Sequence, residues 1–210
     1  MNIRVFPIIA FCLSDNDFSG RWFNGTAFLV DDIGHFYTAG HNFRKKERGN
    51  GDAEPEKLKC FALIDGELFP TEELFVEYDF YSEGLKKDFA YGKIIDGKKI
   101  PSIKIIDSNE SIALGYSIRE LDFEQIETVK WEEKEFFLYK VPISIGNNSM
   151  KISPNINISF ENVRFYTTES GISLEGLSGG PILQNDEILG VLVSNCFLMK
   201  EYIEKLLNIQ

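Results

Sequence analysis

The sequence predicts an all-β fold that ends in one short helix. Apolar residues occur in short runs, and Gly, Asn, Asp or Pro interrupt them at intervals of about 8–12 residues, as is typical of antiparallel strands joined by turns. Aromatic residues make up 13% of the chain, including 18 Phe, and such side chains favour strands. Only the C-terminal segment has apolar residues at helical spacing.

The predicted strands are the stretches richest in aromatic and β-branched residues. In the first half they are Ile3–Leu13, Arg21–Asp31, His35–Thr38, Lys57–Ile64, Leu74–Tyr78 and Phe89–Ile95. In the second half they are Ile112–Tyr116, Ile126–Tyr139, Ile156–Tyr166, Gly180–Leu183 and Ile188–Ser194. Hairpin turns are expected at Asp31–Gly34 and at Asn185–Asp186.

Two further signals divide the chain. Pro101 and a scarcity of packing residues in Ile100–Asn109 predict a boundary, giving an N-terminal lobe over residues 1–100 and a C-terminal lobe over residues 101–197. The last segment has apolar residues spaced by about 3.6 positions, which predicts an amphipathic helix over residues 198–210. The residues with this spacing are Leu198, Tyr202, Ile203 and Leu206.

Composition excludes several classes of function. The 210-residue chain has 33 acidic and 22 basic residues, a net charge of −11, which argues against a nucleic-acid partner. The longest apolar run, Val5–Leu13, contains Pro7 and is far shorter than the roughly 20 residues that cross a membrane. Because no A-x-A cleavage site follows it, we expect a buried first strand rather than a secretory signal.

The cysteines argue against a disulfide framework or a zinc site. Cys12, Cys60 and Cys196 are odd in number and form no C-x-x-C pair. A reducing compartment, the cytoplasm, is the expected location.

The most informative motif is Gly176-Leu177-Ser178-Gly179-Gly180-Pro181. Glycines permit positive φ and close backbone approach, so such a turn can expose the Ser178 hydroxyl and direct backbone N–H groups at one point. An acyl-transfer oxyanion needs this arrangement. The alternatives are a flexible Gly/Ser loop and an anion-binding nest.

A histidine and an aspartate complete the set of candidate residues. Two strands and a hairpin place His41 just past a strand end, where an imidazole suits general base catalysis. The alternative is a structural histidine, and we expect His35 to be a surface residue. Asp88 directly precedes an apolar strand and could orient an imidazole, with Asp79 and Asp96 as rival carboxylates.

Together these motifs resemble those of the chymotrypsin-fold (trypsin-like) serine endopeptidases. His41, Asp88 and Ser178 occur in that order, 47 and 90 residues apart, with Thr38-Ala39-Gly40-His41 similar to the family's T-A-A-H. The family's D-hydrophobic-A pattern matches Asp88-Phe89-Ala90, and its G-[DN]-S-G-G-P pattern matches the serine motif except at Leu177. The resemblance spans Gly25 to the C-terminus. It implies two six-stranded antiparallel β-barrel lobes with the active site between them.

The resemblance also implies roles for individual residues. Ser178 would be the nucleophile, His41 the general base and then acid, and Asp88 the residue that orients His41. The N–H groups of Gly176 and Ser178 would form the oxyanion hole, and no metal or organic cofactor is implied. The substrate pocket would have its floor at Ile172 and a wall along Ser194, Asn195 and Cys196. Lacking a carboxylate at that floor, it would favour small or medium apolar side chains.

Two departures from the family pattern are informative. Leu177 stands where secreted members have the Asp that receives the new N-terminus of a cleaved zymogen, so that activation route is not expected. Asn42 replaces the half-cystine after the histidine, which resembles the intracellular, disulfide-free branch.

The leading functional hypothesis is a serine endopeptidase that acts on a protein or peptide substrate, with a regulatory protein partner as a further expectation. An alternative from another class is a catalytically silent protein-binding module on the same fold. A third is an esterase or other acyl transferase with the same triad. The α/β-hydrolase arrangement is disfavoured, because its histidine comes last in sequence.

Overall fold

The computed structural model describes residues 2–12, 22–45, 55–82, 85–95, 103–104, 110–153, 156–169, 174 and 176–208. The strands of the first half are β1 (Asn2–Ile3), β2 (Val5–Cys12), β3 (Trp22–Leu29), β4 (His35–Thr38), β5 (Arg44–Lys45), β6 (Glu56–Ile64), β7 (Glu67–Ser82) and β8 (Leu85–Ile94). A short 3-10 helix, Gly40–Asn42, follows β4.

The second half continues in the same all-β manner. Its strands are β9 (Ile103–Lys104), β10 (Ile112–Ser117), β11 (Glu124–Trp131), β12 (Lys134–Pro142), β13 (Ser144–Ile145), β14 (Ser149–Ser153), β15 (Ile156–Ser159), β16 (Val163–Thr167), β17 (Pro181–Gln184), β18 (Glu187–Val193) and β19 (Cys196–Met199). The helix α1 (Lys200–Asn208) follows directly. The prediction of an all-β chain with a closing helix is confirmed.

The first lobe is a closed antiparallel barrel. Its strands are ordered β2-β3-β4-β8-β7-β6, β2 pairs again with β6 to close the ring, and β5 extends the β6 edge. Alternate residues along each strand point inward, where Phe6, Ile8, Ala27 and Phe36 are fully buried. Closure leaves β4 next to β8. Strand β4 leads to the predicted histidine, His41, and β8 carries the predicted aspartate, Asp88.

The second lobe is a half-barrel sheet, so the two antiparallel β lobes that the family resemblance implied are confirmed. Its sheet is ordered β11-β12-β10-β17-β18-β19-β16-β13, and within the described residues its two end strands do not pair with each other. The β14–β15 hairpin forms a separate small sheet. Leu114, Val191 and Leu198 are fully buried in the large core that continues toward the first lobe.

Several predicted boundaries are wrong for identifiable reasons. Ile126–Tyr139 is two strands, because a turn containing Glu132, at φ 54°, reverses the chain between β11 and β12. Ile156–Tyr166 is likewise interrupted between β15 and β16. Leu74–Tyr78 is only the middle of the longer β7.

The predicted boundary between the lobes lies in Ile100–Asn109. Of this segment the described residues include only Ile103–Lys104, which pair with β1. The division into residues 1–100 and 101–197 stays a prediction.

The helix begins later than the predicted residue 198. Leu198 belongs to β19, where it pairs with Val163 and Val191 and is fully buried. A fully buried strand is apolar without alternation, so its last residues extended the helical pattern. Ile203 is the buried residue of α1. Within the described part of the chain, no helix is long and apolar enough to cross a membrane.

Candidate active site

His41 lies in the 3-10 turn that follows β4, at the border of the first lobe. Gly40 permits this turn, because a Cβ there would lie 2.3 Å from the Glu77 carbonyl oxygen and 3.0 Å from the Phe89 nitrogen. The His41 side chain is 27% exposed. The turn that carries His41 therefore packs against β7 and β8, while the His41 side chain is partly open to solvent.

Asp88 is the carboxylate that contacts His41. It lies in β8 and is fully buried. Its Oδ2 is 2.9 Å from His41 Nδ1, and its Oδ1 accepts the His41 backbone N–H at 2.9 Å. A carboxylate facing Nδ1 favours the tautomer with hydrogen on that nitrogen and leaves Nε2 as the proton acceptor.

The structure places the backbone of one of the two rival carboxylates. Asp79 lies in β7 opposite Lys87, and Asp96 lies outside the described residues. His35, expected at the surface, is an ion-pair partner of Asp31, with Nδ1 2.5 Å from Oδ2.

The serine motif forms a rigid turn. Gly176 and Gly179 have φ values of 89° and 92°, a region that glycine enters without a steric cost. The Gly179 N–H donates to the Leu192 carbonyl at 2.7 Å, and the Gly180 N–H donates to the Leu177 carbonyl at 2.9 Å. The turn is thus fastened to β18 and to itself, as expected of a functional turn rather than a flexible loop.

Hydrogen bonds from the first lobe hold the serine turn beside the histidine. The Ser178 carbonyl accepts the Thr26 N–H at 2.8 Å and the Asn42 side-chain amide at 3.1 Å. The Thr26 hydroxyl donates to the Gly176 carbonyl at 3.1 Å and accepts the Tyr116 N–H at 2.8 Å. Because Asn42 directly follows His41, these bonds bring the backbone at Ser178 next to the histidine segment.

The N–H groups predicted to bind an oxyanion are those of Gly176 and Ser178. Neither of them donates to any acceptor among the described residues. Both residues are half-buried, at the surface of the turn. Within the described part of the chain, these two backbone donors therefore have no internal acceptor.

The Ser178 hydroxyl has a different partner from the one expected. It accepts the Ser194 backbone N–H at 3.3 Å, and across the described residues it makes no hydrogen bond to the His41 ring. The three candidate residues thus lie as a His41–Asp88 pair with the serine turn fastened beside it.

The predicted substrate pocket is only partly described. Ile172 lies outside the described residues. Ser194 and Asn195 are exposed and form the tight turn between β18 and β19, and the Tyr166 hydroxyl donates to the Ser194 carbonyl at 2.5 Å. Cys196 is only 1% exposed, because its side chain points into the interior, so it does not line an open pocket wall.

Leu177, expected to be unable to receive a new N-terminus, is fully buried in an apolar cluster with Leu174 and Ile182. It packs tightly against Gly115, where a Cβ would lie 2.6 Å from the Leu177 Cβ. Within the described residues, no group of three His, Cys, Asp or Glu side chains could hold a metal ion.

Sequence reasoning missed the roles of Thr26 and Asn42. Both are fully buried polar residues, and the Asn42 amide also donates to the Thr38 hydroxyl at 2.8 Å. The one available signal was their position, Thr26 in the strand before the histidine hairpin and Asn42 directly after the histidine. A threonine in a strand and an asparagine after a histidine are common, so that signal was not specific.

Comparison with known proteins locates the resemblance in the fold. The chain matches no protein-family model and no curated protein. Among solved structures it is similar to the inactive form of a Ser343Ala mutant of Rv3671c from M. tuberculosis H37Rv, with 15% identity, a TM-score of 0.54, and coverage of 98% of this chain and 86% of that one. It is also similar to the Rv3671c protease in its inactive form, with 13% identity, a TM-score of 0.50, and coverage of 97% and 87%. At these identities the likeness establishes architecture, and the chain has the double-barrel fold of the chymotrypsin-like proteases.

Proposed function

We propose that this protein is a serine endopeptidase that uses Ser178, His41 and Asp88. The observation that carries the proposal is a buried carboxylate 2.9 Å from Nδ1 of a half-buried histidine, with a Gly-rich serine turn tied to the residue after that histidine. Three residue types that sequence spacing singled out thus lie on neighbouring segments from two lobes. A structural histidine alone would not need the serine turn beside it.

The proposed chemistry follows from the roles these groups can play. His41 Nε2 takes the proton of the Ser178 hydroxyl as its oxygen attacks the peptide carbonyl, and it then protonates the leaving amine. Asp88 holds the ring and stabilises the imidazolium. The Gly176 and Ser178 N–H groups receive the oxyanion, and each such donor contributes about 10²–10³ in rate. Water then hydrolyses the acyl-enzyme by the same steps.

We further propose that activation does not involve insertion of a new N-terminus. That route needs a carboxylate beside the nucleophile, and Leu177 is packed in an apolar cluster instead. Burying an unpaired ammonium there would cost several kcal/mol.

A catalytically silent binding module is the second candidate, and one observation favours it. The Ser178 hydroxyl is engaged by the Ser194 N–H rather than by the His41 ring. A module of this kind would retain the fold and the serine turn without ever transferring the serine proton.

An active-site fluorophosphonate probe distinguishes the two candidates, because it reacts only with an activated serine. We expect covalent labelling of the wild type at neutral pH and none of Ser178→Ala or His41→Ala. Folded wild type that stays unlabelled would favour the binding module. Parallel assays on peptide libraries and short-chain esters then test whether the enzyme is a peptidase rather than an esterase.

A further inference from the structure

Lys86 is a buried lysine on the strand that also carries Asp88. The two residues are separated by one position in β8, so their side chains point to the same face of the strand. Lys86 is 3% exposed, although a lysine is rarely buried without specific partners. Asp88 contacts His41, whereas the Lys86 ammonium contacts other groups.

The Lys86 side chain reaches into the second lobe. Its Nζ donates to the Val193 carbonyl at 3.2 Å and lies 3.4 Å from Cys196 Sγ. Burial raises the pKa of the Cys196 thiol, and the nearby Lys86 ammonium offsets this only in part, so the sulfur contact is one between a cation and a neutral thiol. An ammonium has three donors, which suits it to hold both groups at once.

The backbone of Lys86 is fastened to the same lobe. Its N–H donates to Asn162 Oδ1 at 3.1 Å, and its carbonyl accepts the Asn162 amide at 2.6 Å. Asn162 is itself buried, between β15 and β16. These two hydrogen bonds fix the backbone of Lys86, and its side chain extends from there across the interface between the lobes.

The two groups that Lys86 holds flank the turn that contacts the serine. Val193 and Cys196 are the paired residues at the end of the β18–β19 hairpin, and Ser194 lies between them at φ 59°. Left-handed backbone at a non-glycine residue is strained and persists where surrounding contacts enforce it. The N–H of Ser194 is the donor to the Ser178 hydroxyl.

We infer that Lys86 is a positioning residue for Ser178, which acts by fixing the Val193–Cys196 turn and with it the Ser194 N–H that orients the serine hydroxyl. This inference rests on the proposed function. A hydroxyl that accepts one hydrogen bond keeps its own proton for donation, so this contact restricts the oxygen without occupying the proton that His41 must take. One strand, β8, then sets both halves of the site, His41 through Asp88 and Ser178 through Lys86.

The test compares Lys86→Met with Lys87→Met. Methionine keeps an apolar stem of similar length and removes the ammonium, and Lys87 is the neighbouring lysine on the opposite face of β8. We expect the rate of fluorophosphonate labelling per folded molecule to fall about 10- to 100-fold in Lys86→Met, since a displacement near 1 Å can cost that much. With an activated ester, kcat should fall while KM stays near that of the wild type. Lys87→Met should behave as the wild type.

Each outcome bears on the inference. A folded Lys86→Met that labels at the wild-type rate overturns it, as does an equal loss in Lys87→Met. If Lys86→Met does not fold, Lys86→Gln replaces it, because that shorter, neutral side chain cannot reach Val193. Labelling of folded Lys86→Gln at the wild-type rate overturns the positioning role. Failure of both variants to fold overturns it as well. A wild type that is not labelled overturns the proposed function itself, and the inference with it.

Discussion

The side-chain amide of Asn42 donates a hydrogen bond to the Ser178 carbonyl, 3.1 Å away, and so joins the histidine segment of one lobe to the serine turn of the other. The amide is fully buried, and it fits because Gly25 leaves room: a Cβ on that glycine would lie 2.4 Å from both terminal atoms of Asn42. Because this position holds an asparagine and not a cysteine, a hydrogen bond rather than a disulfide acts here. It fixes the distance between the two segments that carry His41 and Ser178.

Asn42→Asp should therefore destabilise the protein more at neutral than at acid pH. The change replaces N–H donors by a carboxylate that faces acceptors, so we expect a loss of about 2–4 kcal/mol in unfolding free energy at pH 7. The buried carboxyl binds a proton more readily when folded than when unfolded, so the loss relative to wild type should shrink toward pH 4. Urea denaturation at both pH values measures this. Asn24→Asp, at a half-buried neighbour, is the control and should cost less; an equal cost would contradict the assignment.

Asp88→Asn should retain the fold and lower turnover by about 10⁴, because an amide favours the wrong tautomer of the ring. Esterase or peptidase assays give the turnover, and circular dichroism verifies folding. Asp79→Asn provides the matched control. A large loss in that control, with little change in Asp88→Asn, would show that the carboxylate assignment is incorrect.

Gly179→Ala should prevent stable folding or cost about 3 kcal/mol or more. Gly179 has φ 92°, and a Cβ there would lie 2.0 Å from the Thr26 carbonyl oxygen and 2.3 Å from the Thr38 hydroxyl. Thermal unfolding is the appropriate measurement. Gly146→Ala, where a Cβ would be 3.3 Å from the Phe165 carbonyl, should be tolerated. Similar melting curves for the two variants would argue against a rigid serine turn.

Glu73 should contribute to the pH dependence of stability. The Arg44 guanidinium binds it through contacts of 2.6 and 2.7 Å and lowers the pKa of its carboxyl. A lowered folded pKa gives stability that is present above the unfolded value of about 4.3 and is lost as the pH falls through the folded value. Glu73→Gln should thus cost roughly 1 kcal/mol at pH 7 and less toward pH 3.

Denaturant titrations across this pH range provide the measurement for Glu73→Gln. Glu135→Gln is the control, because its partner Lys130 is 72% exposed and the pair is open to solvent. If the cost of Glu73→Gln were the same at both ends of the range, the carboxylate would not be the group responsible.

Much of the architecture follows from local patterns. The strand His35–Thr38 and the helical segment near the C-terminus are predicted because their side chains match the period of the element, and the Gly176–Pro181 turn is predicted because only glycine enters positive φ freely. The errors are local too. Leu198 satisfies both a helix and a buried strand, and the Glu132 turn has no Gly, Pro or Asn to mark it.

The amino-acid sequence by itself determined the all-β class and the serine turn, since each depends on residues near one another in the chain, and the order of the three candidate residues can be read directly from it. Only the tertiary structure decided that Asp88 is the carboxylate beside His41, that Asn42 and Thr26 hold the Ser178 carbonyl, and that Ser194 donates to the serine hydroxyl. These contacts join residues far apart in the sequence. Their geometry is set by how a closed barrel and a half-barrel pack, and local propensity contains no information about that packing.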